Sequence, residues 1–382
     1  MSRPTTPGQA RGRLDVLVVD DSAVVRQLVT ALLARQPGVE VRAAPDPVVA
    51  LEKMRARRPD VLLLDLEMPR MNGLAFLRAV MDADPLPVVV FSGLTRRGTE
   101  SALEALRLGA VEVLAKPGAD EGFAGTAVHL VRAVREAAAA RPGRQGTGDR
   151  GQGTAGTGSP APARASSAPA STTAAASEPA RSPRLVVVGA SMGGPEALHT
   201  LLAALPAQAP GIVVAQHMPG GFTAAFARSL DARCRLEVRE AVDGDAVRPG
   251  VVLVAPGSGH VRVRGAPGRW TVEVEHAAHL SGCRPSVDAL FHSAARAAGS
   301  HALGVLLTGM GSDGAEGLLA LRRAGAVTLA QDEATSVVYG MPAAAASLGA
   351  AGEILPLPQI AAAVLRHAGR ARPARPPAAT HP

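Results

Sequence analysis

Leu185-Val186-Val187-Val188-Gly189-Ala190-Ser191-Met192-Gly193-Gly194-Pro195 is a β-branched apolar run that breaks into small residues and ends on a proline. The run reads as a buried strand, the small residues as a sharp turn, and Pro195 as the first turn of a helix. The same alternation continues downstream. Gly211–Gln216, Val251–Ala255, Ala302–Leu307 and Ala326–Ala330 read as strands, with helices beginning near Pro195, Thr223, Val287, Gly314 and Gly340. Val261–Arg264 and Trp270–Glu275, joined across Gly265-Ala266-Pro267-Gly268, predict an added hairpin.

Upstream, Leu14–Asp20, Val39–Ala44, Val61–Asp65, Val88–Ser92 and Val111–Ala115 read as strands. They alternate with helical segments at Ser22–Arg35, Pro47–Arg57, Leu74–Ala83, Thr99–Leu108 and Gly125–Ala139. Alternation of this kind predicts two α/β domains, each a doubly wound parallel sheet whose ligands sit beyond the carboxyl ends of the strands. Residues 14–140 make the first domain and 184–368 the second. Between them, 141–183 is rich in Ala, Pro, Gly and Ser and has almost no large apolar residue. It buries too little to offset its ordering entropy, so a flexible linker is expected there, and a disordered tail over 369–382.

At 382 residues and 47% hydrophobic, the chain can build two cores of ordinary size. The net charge of +7 would suggest nucleic acid if it lay on a domain. It lies elsewhere. Six arginines between Arg141 and Arg184 face only Asp149 and Glu178, and Arg366, Arg370, Arg372 and Arg375 follow Glu353 with no further acid. The folded domains are near neutral, which argues against a nucleic-acid partner. Cys234 and Cys283 stand far apart, without metal-ligand spacing or a secretory context, so neither a disulfide nor a zinc site is expected. No apolar run reaches the ~18 residues of a membrane span. Met1–Arg13 is polar with no apolar core. A cytoplasmic location without membrane insertion is expected.

Chemistry-bearing residues fall at the strand ends. Asp20-Asp21-Ser22 closes the first strand, Asp65 the third in Leu62-Leu63-Leu64-Asp65-Leu66-Glu67-Met68-Pro69, Ser92 the fourth and Lys116-Pro117 the fifth. Three converging carboxylates repel one another unless a cation sits among them, and an oxygen-only set suits Mg²⁺. Such a metal makes Asp65 an acceptor for a phosphoryl group while cancelling charge in transfer. Lys116, one of two lysines with Lys53, fits as a second counter-charge. A lone strand-end aspartate reads as a helix N-cap. The coincidence at four strand ends favours the phosphoacceptor.

These residues resemble a response-regulator receiver domain, flavodoxin-like in fold, over Leu14 to about Ala139. The resemblance implies Asp65 as the phosphorylation site, with Asp20, Asp21, Asp65 and the Glu67 carbonyl as Mg²⁺ ligands. It implies Ser92 as the hydroxyl that follows the phosphoryl group and Lys116 as its ion-pair partner. Val113 stands where receivers often carry an aromatic switch residue, which argues against an aromatic-flip relay.

In the second domain, Gly189-Ala190-Ser191-Met192-Gly193 fits G-x-S-x-G, a turn that lifts a serine hydroxyl clear of the backbone. Alone the pattern is weak, and a Gly-rich turn after a strand can also hold a pyrophosphate. The dinucleotide fingerprint, however, needs glycine where Ser191 stands. His217 follows the next strand as a candidate base. Asp313 follows the strand through Thr308-Gly309-Met310-Gly311-Ser312, a loop suited to an oxyanion hole. The order Ser, His, Asp excludes an ordinary α/β-hydrolase. Asp245 is a rival orienter in a Gly/Asp turn, and His260, His276, His279, His292 and His301 read as solvated or structural.

With Gln216-His217-Met218-Pro219, Arg284-Pro285-Ser286-Val287-Asp288, Leu307–Gly314 and Val338-Tyr339-Gly340-Met341-Pro342, the second domain resembles the catalytic domain of chemotaxis protein-glutamate methylesterases. The likeness runs from Leu185 to about Arg366 and implies a Rossmann-like domain. It implies Ser191 as nucleophile, His217 as base and then acid, Asp313 as orienter and the Met310 N–H as oxyanion donor. The implied substrate is a glutamate γ-methyl ester on a chemoreceptor, hydrolysed with release of methanol, and receptor glutamine is deamidated as a second activity. No cofactor is implied for hydrolysis. The implied phosphodonor is a chemotaxis histidine kinase, and association with receptor clusters follows. Met192 stands where the family often has a smaller or hydroxylic side chain, so a changed rate or substrate fit is expected. A catalytically idle scaffold that binds receptors or kinase, and a nucleotide-binding turn at Gly189–Gly194, stand as alternatives.

Overall fold

The computed structural model describes residues 13–68, 72–117, 123–140, 185–277, 280 and 283–368. The expected linker and tail, and His279, lie outside the described residues.

In the first domain strands β1 (Leu14–Val19), β2 (Val39–Ala44), β3 (Val61–Leu64), β4 (Val88–Ser92) and β5 (Glu112–Ala115) alternate with helices. These are α1 (Ala23–Ala34), α2 (Pro47–Ala56), α3 (Gly73–Ala83), α4 (Arg96–Arg107) and α5 (Phe123–Ala137). The strand order is β2-β1-β3-β4-β5, all parallel. The strands are buried on both faces, as continuous Val/Leu runs require. Register pairs Val19 with Leu64, so Asp20 and Asp65 leave the sheet side by side. Side chains cap the helix starts, Ser22 accepting from the Val25 N–H and Asp46 from the Val49 N–H. Apolar spacing alone starts the fourth helix at Thr99. It starts at Arg96, because Thr95 caps it through the Gly98 N–H.

The second domain runs β6 (Leu185–Ala190), α6 (Gly194–Ala203), β7 (Gly211–Gln216), α7 (Thr223–Asp231), β8 (Glu237–Glu240), β9 (Val251–Val254), β10 (His260–Ala266), β11 (Arg269–Glu275) and α8 (Val287–Ala298). It continues with β12 (Ala302–Leu306), α9 (Ala315–Arg323), β13 (Val327–Gln331), α10 (Met341–Ser347), β14 (Glu353–Leu355) and α11 (Leu357–Ala368). Seven parallel strands are ordered β14-β13-β12-β6-β7-β9-β8. The strand order reverses at β6, so the crevice for a ligand opens beyond its carboxyl end, where Ser191 stands.

Both doubly wound sheets match the expected fold class. The two edge strands, β8 and β14, and helix α11 are additions. Glu-Val-Arg-Glu in β8 and the half-exposed β14 carry little apolar signal because an edge strand faces water. The hairpin strands are longer than Val261–Arg264 and Trp270–Glu275. Pairing continues to Ala266 opposite Arg269, which leaves Pro267-Gly268 as a two-residue turn. Val261, Val263, Trp270 and Val272 close this ribbon over Leu290 and Phe291 of α8. Among the described residues no helix is long and apolar enough to cross a membrane.

The first domain lies across the carboxyl end of β6. Leu103 and Leu106 of α4 meet Phe226 and Leu230 of α7 along one seam. Leu106, Val111, Glu112 and Val113 enclose Ser191 and His217 along another. The space left beside Ser191 is about 10 Å³, room for about one water.

Candidate active site

The turn after β6 is shaped by its small residues. Gly193 sits at φ +74°, a left-handed conformation that glycine adopts without strain, and it sends the chain straight into α6. The Ser191 N–H donates to the Thr308 carbonyl at 3.0 Å and the Gly194 N–H to the Ser191 carbonyl at 2.8 Å. Gly193 donates its N–H to the Val111 carbonyl at 3.2 Å. In this docked state the N–H groups of Ser191, Gly193 and Gly194 are thus taken by carbonyls, against the nucleotide reading of Gly189–Gly194.

β7 lies beside β6, and its end is tied to the turn. The His217 N–H donates to the Ala190 carbonyl at 3.0 Å. The Gln216 side-chain amide, buried, donates to the carbonyls of Ser191 at 2.8 Å and His217 at 3.0 Å. Gln216 thus locks serine and histidine together, a role its place in the motif did not reveal.

Asp313 arrives from the loop after β12. Its Oδ2 lies 2.8 Å from His217 Nε2. The carboxylate also accepts from the Ser286 hydroxyl at 3.0 Å and from the N–H groups of Val287 at 2.7 Å and Asp288 at 3.0 Å. These groups are the N-terminus of α8, so the helix end orients the acid. Burial presses the Asp313 pKa upward, but the His217 contact and these N–H donors outweigh it and hold the carboxyl below its ordinary value. The Arg284–Asp288 motif is thereby explained: Ser286 caps α8 through the Ala289 N–H and holds Asp313 with the same hydroxyl. His260, fully buried, accepts the Ser286 N–H at 3.0 Å and is structural, as expected.

Because Nε2 faces Asp313, Nδ1 is the His217 nitrogen left for serine chemistry. Among the described residues no hydrogen bond joins the Ser191 hydroxyl to His217. Burial works against a charged His217, but the Asp313 hydrogen bond and the Cys283 sulfur beside it raise its pKa to about 10.

The loop Thr308–Gly311 flanks the serine. A Cβ at Gly309 would stand 2.7 Å from Ser191 Cβ and 2.3 Å from Met341 Sδ, so only glycine allows this approach. The approach sets the Met310 backbone beside the turn. Thr308, buried, binds the carbonyls of Met192 and Val338 through its hydroxyl and fixes the loop. Asp245, the rival orienter, pairs with Arg239 and accepts the Val242 N–H; it is a turn residue. Met192 joins the buried cluster that carries Val111, Val337 and Val338, so its side chain serves the docking seam.

Three groups over the site come from the first domain. Glu112 keeps part of its stem exposed, but its Oε2 is enclosed without a hydrogen-bond partner among the described residues. Burial, then the Glu136 charge, raise its pKa to about 7 against the pull of Arg132 and His217. Arg132 Nη1 lies 3.9 Å from Cys283 Sγ. None of these contacts has a local sequence signal.

At the far end of the first domain, Lys116 Nζ lies 2.8 Å from Asp20 and 2.7 Å from Asp65. The carboxylates of Asp20, Asp21 and Asp65 offer oxygens within 4.8 Å of one another. Burial keeps the Asp20 pKa raised despite Lys116, so the cluster is short of positive charge. An oxygen-only, charge-deficient set fits Mg²⁺. The Ser92 hydroxyl is fully buried beside it with no partner among the described residues.

Comparison with known proteins agrees with both halves. Residues 186–364 match the family described as CheB methylesterase, and residues 16–125 match the response regulator receiver domain. Protein-glutamate methylesterase/protein-glutamine glutaminase 5 of Anaeromyxobacter dehalogenans (strain 2CP-C) is 52% identical over 366 residues, covering 95% of this chain and 99% of its own. A second such protein of that organism, numbered 1, is 54% identical, covering 92% of this chain and 98% of its own. The crystal structure of the Thermotoga maritima CheB methylesterase catalytic domain is 38% identical, covering 48% of this chain and 98% of its own, with a TM-score of 0.47. The chain belongs to the protein-glutamate methylesterase/protein-glutamine glutaminase family, with a receiver domain joined to a methylesterase domain.

Proposed function

We propose that the chain is a phosphorylation-activated serine esterase. It hydrolyses glutamate γ-methyl esters on methyl-accepting chemoreceptors, releasing methanol, and deamidates receptor glutamines. One observation carries the reading: His217 joins Ser191's turn to an Asp313 pinned by the N-terminus of α8.

In the open enzyme the Ser191 hydroxyl attacks the ester carbonyl and His217 takes its proton at Nδ1. The developing oxyanion faces the Met310 N–H. His217 returns the proton to the departing methoxide, leaving acyl-Ser191. Water then attacks the acyl group, with His217 again as base, and glutamate is released. For a glutamine side chain the first leaving group is ammonia. Asp313 holds the ring with Nε2 protonated and steadies the imidazolium.

Asp65 is the phosphorylation site, with a chemotaxis histidine kinase as donor. Asp20, Asp21, Asp65 and the Glu67 carbonyl are the groups that would hold Mg²⁺, which neutralises the phosphoryl oxygens during transfer. Asp65 receives the phosphoryl group, and Lys116 and the buried Ser92 hydroxyl move toward it. That movement runs along β4 and β5 to Val111 and Val113, which cover Ser191, and the docked domain releases. Such an enzyme acts at receptor clusters. Incubation with methyl-labelled receptor, with and without a small phosphodonor, tests the reading. Labelled methanol should appear and increase with the donor, whereas binding without methanol release would favour a scaffold.

A further inference from the structure

We propose that His217, Cys283 and Asp313 form an inhibitory site for Zn²⁺ or a similar borderline divalent cation. The sequence assigns Cys283 no metal role, because the two cysteines, Cys234 and Cys283, stand far apart. Folding supplies the partners. One imidazole nitrogen, the Cys283 sulfur and a carboxylate oxygen of Asp313 lie within 4.8 Å of one another.

Nitrogen, sulfur and oxygen donors with a vacant fourth position for water make a Zn²⁺ set. In a tetrahedral site with metal bonds of ~2.0–2.3 Å, ligand atoms stand about 3.3–3.7 Å apart. The His217–Asp313 contact of 2.8 Å must open slightly to admit the ion. Side-chain rotation suffices. The main chain is already fixed at each ligand. Cys283 exchanges two hydrogen bonds with Leu280, at 3.0 and 2.9 Å, and His217 is tied to Ala190. Asp313 has its outer shell in Ser286, Val287 and Asp288, and such partners orient a ligand toward a metal. The sulfur and nitrogen select against Mg²⁺, which the oxygen-only cluster at Asp20, Asp21 and Asp65 suits.

The docked first domain guards the site. Arg132 sets a cation 3.9 Å from the Cys283 sulfur, and it must withdraw before a metal ion enters. The metal therefore acts on the released enzyme. It ties up His217 and Asp313 together, leaving Ser191 without a base. This inhibition rests on the triad reading above; the binding does not.

Co²⁺, whose thiolate complexes absorb in the near ultraviolet, tests the site in the full-length protein with Mg²⁺ and a small acyl phosphate present. The wild type and Cys234→Ser should show the thiolate band, Cys283→Ser should not, and Zn²⁺ should abolish it. Methanol release, each variant against its own metal-free rate, should need at least about tenfold more Zn²⁺ for half-inhibition in Cys283→Ser than in wild type. Absence of the band, or its survival in Cys283→Ser, would overturn the site and leave the esterase reading standing. A band with hydrolysis indifferent to Zn²⁺ would overturn the inhibitory role and leave the esterase reading standing.

Discussion

The Gly193 N–H, two residues beyond Ser191, donates across the domain boundary to the Val111 carbonyl at 3.2 Å. Val111 immediately precedes β5, the strand that delivers Lys116 to Asp20 and Asp65 at its other end. One short strand therefore touches the nucleophile's turn and the phosphoacceptor pocket.

Weakening the seam elsewhere should open the site without phosphate. Leu106 is buried between the domains, facing Pro195 and His217. Leu106→Asp places a charge there. With domain coupling of about 1–3 kcal/mol, basal methanol release should rise roughly 5–150-fold. Unchanged basal activity in a folded Leu106→Asp protein would show that this contact does not hold the enzyme shut.

Ser191, His217 and Asp313 should act as one unit. Ser191→Ala and His217→Ala should each lower turnover by on the order of 10⁴–10⁶, with the double variant little worse. Asp313→Asn should cost less than either. Single-turnover methanol release checks this, and near-normal release from Ser191→Ala would remove the acyl-serine route. All variants should still take phosphate at Asp65.

Glu112 makes docking pH-dependent. Its docked pKa is raised from 4.5 to about 7, so the protonated carboxyl favours the docked state. Docking is fully supported below the ordinary carboxyl value of 4.5, loses support as pH rises toward 7, and loses no more above it. The ratio of unphosphorylated to phosphorylated rate divides out the titration of the open triad, which both rates share. It should rise several-fold between pH 5 and 7 and then level off. Glu112→Gln should flatten the ratio at its low-pH value. A flat ratio in the wild type would refute this role.

Much of this was legible in the chain. Buried parallel strands announce themselves as Val/Leu runs, and Asp65, Ser92 and Lys116 could be aligned because each ends such a run. Ser191, His217 and Asp313 followed the same rule. Other residues were silent. Ser286 stands in its motif without a legible role, and only the fold brings Asp313 to the helix end that it caps. Gln216, Cys283, Arg132 and Glu112 act through neighbours up to 151 positions away in sequence, a relation that no local pattern encodes. Met192 lies in the buried cluster of the docking seam, a placement that its position in the motif does not signal. Edge strands β8 and β14 escaped because their charged or exposed residues break the apolar pattern.

The most direct test compares methanol release from methyl-labelled receptor by the full-length wild type and Asp65→Asn, each with and without a small phosphodonor and Mg²⁺. Both proteins should show the same low basal rate, and only the wild type should rise, by roughly 5–150-fold. Equal wild-type rates with and without donor, or equal stimulation of Asp65→Asn, would contradict a docked receiver that phosphate at Asp65 releases from Ser191.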